Sequence, residues 1–370
     1  MIYLDYSATT KADLRVLEYF NLASVKYFAN ANSIYKLGRI SKGAIKRASN
    51  QILDILGFED HEIIYTSCAT EANNLAIKGV IESLKGKKNR IITNLFEHSS
   101  VIAPINVLQR KGFIVNNVRF DENGCVDLNH LKELMGPDVA LVSIGSVNSE
   151  IGIRQPVEDI AQIVHQGEAL FHCDATQSVG KEVLPFCVAD LVTFSAHKFY
   201  GIKGIGALVK RKGVSLTAQL HGGSSTTVYR AGTPNTPLIL SLRKALYLAY
   251  QNHARKYVKV KLLNIYLRGL LNRIPSIVIN SPKEGLPHIL NFSYLGHSSR
   301  KIISDLSRHD IYISNHSACA SETKKSLAVL ALTNSNQRAS SSLRVSLSHL
   351  TTKNELQRFV LELKKADKNL

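Results

Sequence analysis

The chain has 370 residues, of which 45% are hydrophobic and 20% charged, a composition typical of a globular protein with more than one core. No apolar run approaches the ~18 residues of a membrane span, and the N-terminus lacks a basic stretch followed by an apolar one. We therefore expect a cytoplasmic protein without a membrane segment. Five cysteines without a Cys-x-x-Cys pair argue against a disulfide framework and against a zinc site, so no metal is expected.

The formal net charge of +17 favours acidic partners, nucleic acid among them. The lysines and arginines are nevertheless spread along the chain, and no basic stripe carries interleaved aromatic residues. Direct nucleic-acid binding is therefore not expected.

The first two thirds of the chain alternate predicted strands and helices. Residues 1–12 are predicted to form an extended arm, and helical spacing follows at 13–26 and 38–57. Strands are predicted at 62–66, 90–93, 113–118, 140–145, 169–173, 190–194 and 204–209, with helices between them, the first at about 72–78. This alternation predicts an α/β fold with a mostly parallel, doubly wound sheet flanked by helices.

The pattern changes after a long helical stretch at 237–273, which we expect to be broken once. Short predicted strands at 288–293, 311–314 and 343–346 accompany predicted helices at 299–308 and 353–365. We predict a large domain at 13–255 and a smaller α+β domain at 256–370, with the arm 1–12 packed on the smaller one.

Polar side chains follow two predicted buried strands, where open α/β sheets place their ligands. Asp174 ends the first strand, and Ser195, His197 and Lys198 follow the second. Pyridoxal phosphate needs a lysine for a Schiff base and an acidic partner for its ring nitrogen. An Asp after a strand is also a common helix N-cap, and Ser-x-His-Lys is often a solvated loop, so these features alone leave both alternatives open.

A second polar turn follows the strand at 62–66. It carries Ser67-Cys68-Ala69-Thr70-Glu71 at the start of a predicted helix, where free backbone N–H groups favour a phosphate. The same pattern is also that of a plain capping box.

Several longer motifs occur in a fixed order along nearly the whole chain. They are YLDYSATT at 3–10, TSCATEANNLAIKG at 66–79, VNSEIG at 147–152, DATQSVGK at 174–181, SAHKFYGIKGIGAL at 195–208, RAGT at 230–233, SACAS at 317–321 and LRVSL at 343–347. On these motifs the sequence resembles cysteine desulfurases of the NifS/IscS type, in the class V aminotransferase branch of fold type I pyridoxal-phosphate enzymes.

The resemblance implies pyridoxal 5'-phosphate as the cofactor. Lys198 would form the Schiff base and later move the proton at the substrate α-carbon, and Asp174 would pair with the ring nitrogen. Gln177 would bind the ring hydroxyl oxygen, and His98 would stack on the ring unless it is an ordinary loop histidine. The phosphate would be held by Ala69, Thr70, Ser195, His197 and, from a neighbouring subunit, Thr233.

The resemblance also implies a reaction, in which L-cysteine gives L-alanine and its sulfur passes to an enzyme cysteine as a persulfide. Arg344 would bind the substrate carboxylate, with support from Asn148 and Asn30, for which turn capping is an open alternative. Cys319 would be the nucleophile, because its polar surroundings are typical of an exposed loop, and His316 could favour the thiolate. The other four cysteines are predicted to pack as small hydrophobic residues.

The implied partners are a second subunit, reached by Thr233, and a sulfur-acceptor protein such as an iron–sulfur scaffold or a tRNA-thiolation enzyme. The chain departs from the usual family pattern at five positions. It has Ala31, Tyr35, Cys68, Ile202 and His316 where family members usually have Pro, His, Gly, Pro and Gly, respectively. Its segment at 221–227 also lacks the usual Glu-Arg pair, which bears on the active-site wall and the dimer contact. The alternative functions are a class V aminotransferase, a selenocysteine lyase or a low-turnover cofactor-binding scaffold.

Overall fold

The computed structural model describes residues 1–315 and 325–368. The strands are β1 (Ile2–Tyr3), β2 (His61–Thr66), β3 (Arg90–Thr93), β4 (Ile114–Asn117), β5 (Val139–Ser143), β6 (Leu170–Asp174), β7 (Leu191–Ser195), β8 (Gly206–Arg211), β9 (Ile277–Ile279), β10 (Ile289–Tyr294), β11 (Ile311–Tyr312) and β12 (Ser342–Ser346). The helices are α1 (Leu14–Lys26), α2 (Lys36–Leu56), α3 (Ala69–Ser83), α4 (Ser99–Arg110), α5 (Leu128–Leu134), α6 (Val157–Gln166), α7 (Thr236–Tyr250), α8 (His253–Leu271), α9 (Ser299–Arg308), α10 (Leu327–Thr333), α11 (Asn336–Ser340) and α12 (Lys353–Lys368). Short 3₁₀ turns lie at Phe186–Val188 and Ala196–Lys198.

A seven-stranded sheet in the order β2-β8-β7-β6-β5-β3-β4 forms the centre of the larger part of the molecule. The neighbours from β7 to β4 run parallel, whereas β8 runs antiparallel to both β2 and β7. The predicted mostly parallel sheet is confirmed. Its parallel order brings the carboxyl ends of β5, β6 and β7 to one edge, so the polar residues that follow them meet there.

The sheet is covered by apolar side chains on both faces, because successive residues of a strand point in opposite directions. Along β8, Ala207 and Val209 belong to one buried cluster, which includes residues of α2, α6 and α7. Leu208 belongs to another, with residues of α3 and α4. Helices therefore cover both faces, which is why the central strands contain long apolar runs.

A three-stranded antiparallel sheet, in the order β12-β10-β9, forms the centre of the C-terminal part. Its core also takes residues from α8 and α12 and, from the N-terminal arm, Ile2 and Leu4. The start of the arm pairs with β11 in parallel, so these first residues pack on this part of the chain. The long helical stretch is interrupted at Asn252, whose φ is 56°. The domain boundary at 255/256 stays a prediction.

Some element bounds differ from those predicted. The helix expected at 72–78 spans Ala69–Ser83, because it begins directly after an extended N-cap residue, Cys68. The φ of Cys68 is −169°, a backbone conformation open to any residue, so replacing the usual glycine there costs no strain. Within the described ranges, no helix combines the length and the apolar character needed to cross a bilayer.

Candidate active site

A cavity of about 200 Å³ lies where the strand ends of the central sheet meet the arm and β12. Its lining includes nine of the residues that the sequence analysis selected: Ala69, Thr70, His98, Asn148, Asp174, Gln177, His197, Lys198 and Arg344. Two further lining residues, Ser7 and Ala8, come from the arm, which the sequence analysis did not connect with the site. The cavity therefore joins residues from both ends of the chain.

Lys198 lies in the 3₁₀ turn directly after β7. Its Nζ donates hydrogen bonds to the carbonyl oxygens of Ser7, at 2.6 Å, and Ala8, at 2.9 Å. The turn is held by Tyr200, whose φ of 66° is unusual for a bulky residue and whose N–H donates to Thr10 Oγ1. The arm therefore holds this turn in place and accepts the hydrogen bonds of the Lys198 amine.

Asp174 ends β6, and its side chain both caps a turn and lines the cavity. Its Oδ1 accepts a hydrogen bond from the Thr176 N–H, as a capping residue would, yet the side chain also lines the cavity. Its Oδ2 accepts from Nδ2 of Asn73, a fully buried side chain on α3. Asn73 was missed, although a polar residue on an otherwise apolar helix face is a recognisable signal.

His98 is the N-cap of α4, and its Nδ1 accepts a hydrogen bond from the Ser100 N–H. Burial lowers the pKa of His98, so the ring is neutral near pH 7 and its proton lies on Nε2.

Neighbouring Glu97 also lines the cavity, and its Oε1 accepts a hydrogen bond from the Gly145 N–H at 2.8 Å. Burial, with the Asp174 charge, raises the pKa of Glu97 to about 8, so this acid holds a proton at neutral pH. No role for Glu97 was predicted from the sequence.

The other end of the cavity has the chemistry of an anion site. Ala69 and Thr70 start α3 and line the cavity, and the side chain of Cys68 does not cap the helix, so backbone N–H groups of the first turn are available to an anion there. Ser195 does not line the cavity, but its buried Oγ has no hydrogen-bond partner in the described chain. A Cβ on Gly206, its partner in β8, would come within 2.9 Å of Cys68 Cα, so only glycine lets the strand pass beneath this turn.

Glu71, in the first turn of α3, binds the backbone just before the helix, but no full capping box forms because the N-cap residue Cys68 makes no side-chain cap. Glu71 Oε2 accepts from the Ser67 N–H at 2.8 Å, while Glu71 Oε1 pairs with Nε of Arg230 at 2.9 Å. That ion pair connects the segment at 230–233 with the start of α3. A lysine, a carboxylate and an anion site around one cavity fit pyridoxal phosphate.

Arg344 lies on β12 and is only 1% exposed. Its guanidinium donates to Asp5 Oδ1 at 2.8 Å and to the Ser149 carbonyl at 2.9 Å, while its buried Nε has no partner among the described residues. The guanidinium is thus desolvated and held in a fixed orientation, as recognition of a planar carboxylate requires. Asp5, which provides half of this support, was not predicted.

The two asparagines predicted to support Arg344 differ in position. Asn148 lines the cavity and also caps a turn, since its Oδ1 accepts from the N–H groups of Glu150 and Ile151. Asn30 is exposed and lies outside the lining, and its Oδ1 accepts from the Asn32 N–H. Asn30 therefore caps a turn in this structure, and its role in substrate binding stays a prediction.

The remaining predicted residues lie outside the cavity or outside the described chain. Thr233 is exposed and does not line the cavity of its own chain. Cys319 and His316 lie outside the described residues. Of the other cysteines, Cys173 is buried as predicted, whereas the remaining three are only partly buried: Cys68, which lines the cavity, Cys125 and Cys187.

Comparisons with known proteins agree with this geometry. The family model "Aminotransferase class-V" matches residues 2–359. Cysteine desulfurase IscS from Dictyoglomus turgidum is 36% identical over 96% of this chain and 91% of the relative. A solved NifS-like protein matches with a TM-score of 0.93 and 32% identity over 100% of both chains. The solved structure of SspA in complex with cysteine matches with a TM-score of 0.83 and 30% identity, over 95% of this chain and 100% of SspA.

Proposed function

Because the chain belongs to the class-V aminotransferase family, in its NifS/IscS-type branch, we propose that it is a pyridoxal-phosphate-dependent cysteine desulfurase that converts L-cysteine to L-alanine. The observation that carries the proposal is the meeting of Lys198, Asp174 and Arg344 in one cavity. A lysine and a carboxylate suit the cofactor, and a buried guanidinium suits an amino-acid carboxylate.

Lys198, Asp174 and the start of α3 would hold the cofactor. When bound, pyridoxal phosphate supplies an electron-withdrawing ring that makes the substrate α-hydrogen acidic. Arg344 then binds the substrate carboxylate, and Asp5 keeps its guanidinium in place. Neutral His98 covers the site without adding a positive charge. The Lys198 amine, next to the arm carbonyls, takes and returns the α-proton.

Cys319 completes the reaction in this proposal. Its thiolate attacks the sulfur of the bound cysteine, the carbon–sulfur bond breaks, and the pair of electrons stays with carbon, which is then protonated. The products are alanine and a Cys319 persulfide, so all atoms of L-cysteine and the thiol are accounted for. A reducing thiol would release the outer sulfur as sulfide.

The direct test is to load the protein with pyridoxal phosphate, incubate it with L-cysteine and dithiothreitol, and measure alanine and sulfide. Equal amounts of the two products support the proposal. Keto acid in place of alanine would favour the class-V aminotransferase alternative, and neither product would favour a cofactor-binding scaffold. Preference for selenocysteine over cysteine would favour a selenocysteine lyase.

Arg344→Lys is expected to lower kcat/KM for L-cysteine roughly 10- to 100-fold, mainly through a higher KM, because a lysine cannot reproduce the fixed fork of the guanidinium. Steady-state alanine production measures the effect. Arg338→Lys is the matched control, because Arg338 does not line the cavity. An unchanged KM in Arg344→Lys would remove Arg344 from the substrate site.

We further propose a homodimer in which Thr233 enters the neighbouring cavity. Support comes from large apolar side chains that are exposed in and near the segment at 220–233. Val228, within the segment, is 71% exposed, and Ile34 and Phe28 are 88% and 72% exposed. The Asn32 amide, between Phe28 and Ile34 in the sequence, approaches Ser225 Oγ at 3.4 Å, so these residues share one region of the surface. Exposed apolar patches of this kind commonly mark interfaces.

Ile34→Glu is expected to shift sedimentation from dimer toward monomer, because a charge at the centre of an apolar interface loses its hydration there. The loss of Thr233 from the neighbouring site should weaken cofactor binding at the same time. Val183→Glu is the matched control, because Val183 is 75% exposed but lies in a different segment. A fully active wild-type monomer at assay concentration would rule the dimer out.

The proposal also includes a cytoplasmic location and an acceptor protein that takes sulfur from the persulfide, such as an iron–sulfur scaffold or a tRNA-thiolation enzyme. The net charge of +17 implies a mostly positive surface, which suits an acidic acceptor protein.

A further inference from the structure

Lys181 is a buried lysine without a carboxylate partner in the described part of the chain. It is 8% exposed, and its Nζ donates a 2.7 Å hydrogen bond to Gln177 Oε1. The adjacent carboxylate, Glu182, is paired with Arg154 instead. Burying an amine beside a neutral amide is costly, so its place next to the cavity calls for a functional explanation.

A chain of hydrogen bonds connects Lys181 with Lys198. Gln177 Oε1 accepts the hydrogen bond from the Lys181 amine. The other side-chain atom of the same amide, Gln177 Nε2, donates to the Ser7 carbonyl at 3.1 Å. The same carbonyl accepts from Lys198 Nζ at 2.6 Å. Both lysines also line a second cavity of about 30 Å³, room for about one water molecule.

The charges around the two amines are mostly positive. Lys181 is faced by Lys198, Arg344, Glu182, His197 and His288. Lys198 is faced by Lys181, His98 and His197 and shares the main cavity with Asp174, Glu97 and Arg344. The second cavity adds Tyr6, Tyr200, His253, Lys256, Tyr257 and His349. Burial, with the charges of Lys198 and Arg344, lowers the pKa of Lys181 to about 7.

We propose that Lys181 is a positioning residue that orients the Gln177 amide with its NH₂ group toward the site and presents a positive charge to the nitrogen of Lys198. The inference rests on the proposed function, because Lys198 and Gln177 are the residues expected to contact the cofactor. While Lys181 is protonated, which its pKa of about 7 allows up to near-neutral pH, its charge disfavours a proton on the Lys198 nitrogen. A fixed NH₂ group of Gln177 offers a donor to the ring hydroxyl oxygen.

The test is a pH titration of the visible absorption of the cofactor-loaded protein. Lys181→Met removes both the donor and the charge, so the midpoint of the absorption change should rise by about one pH unit. Lys256→Met is the matched control, since Lys256 lines the same second cavity but donates to backbone carbonyls of α7, not to Gln177. Its midpoint should equal that of the wild type.

Equal midpoints in wild type and Lys181→Met would overturn the inference while leaving the desulfurase proposal intact, and so would equal shifts in both variants. Should Lys181→Met fail to fold, Lys181→Gln decides, because it keeps a donor for Gln177 without the charge. An upward shift in Lys181→Gln supports the charge effect, and an unchanged midpoint overturns it. A wild-type protein that binds no pyridoxal phosphate would refute the proposed function and this inference with it.

Discussion

Lys198→Ala is expected to abolish covalent attachment of pyridoxal phosphate and to lower alanine production by about 10³-fold or more, because both the attachment point and the α-proton carrier are lost. The geometry behind this expectation is an amine that emerges from the end of a buried strand and is held by two arm carbonyls. The measurement is borohydride reduction of the loaded protein, followed by peptide mapping and an alanine assay.

Lys203→Ala is the matched control, because Lys203 is exposed and lies in the same segment outside the cavity. It should keep the reduced cofactor on the peptide that contains Lys198. Non-covalent binding should survive in Lys198→Ala, since the anion site at Ala69 and Thr70 and the Asp174 carboxylate are untouched. A label on another lysine in the wild type would show that the site has been assigned to the wrong residue.

Cys319→Ser is expected to retain the yellow, cofactor-loaded state and to bind L-cysteine, yet to release roughly 10³-fold less sulfide or none. A hydroxyl cannot take over sulfur as a thiolate does, whereas the residues that hold the cofactor and the substrate carboxylate belong to other segments. Absorption changes on adding L-cysteine report binding, and alanine and sulfide assays report turnover.

Cys187→Ser is the matched control, because Cys187 is a free, partly buried thiol outside the cavity. It should keep wild-type sulfide release. An aminotransferase would behave differently, since its turnover would not need Cys319 and keto acid would accumulate. Wild-type alanine production by Cys319→Ser would therefore contradict the persulfide mechanism and promote the alternative.

The central strands, many of the helices and nine of the residues that line the cavity could be predicted from the sequence because their signals are local. Asp174 ends one apolar run and Lys198 follows another, and such runs in a parallel sheet deliver the polar residues at their ends to one edge. The turn that the sequence predicts to bind phosphate likewise lies directly between β2 and α3. The sequence leaves both alternatives for Asn30 open, because a turn-capping asparagine and a ligand-binding one look alike in sequence.

The sequence by itself determined the alternation of strands and helices in the first two thirds of the chain and the edge of the sheet at which the site lies. Only the tertiary structure decided which distant residues complete that site. Asp5 reaches Arg344 across 339 positions, and Ser7 reaches Lys198 across 191. Such contacts depend on how the arm packs against β11 and β12, and no periodicity or spacing records them. The Lys181–Gln177 contact is short in sequence, but its meaning depends on the charges that the fold brings around it.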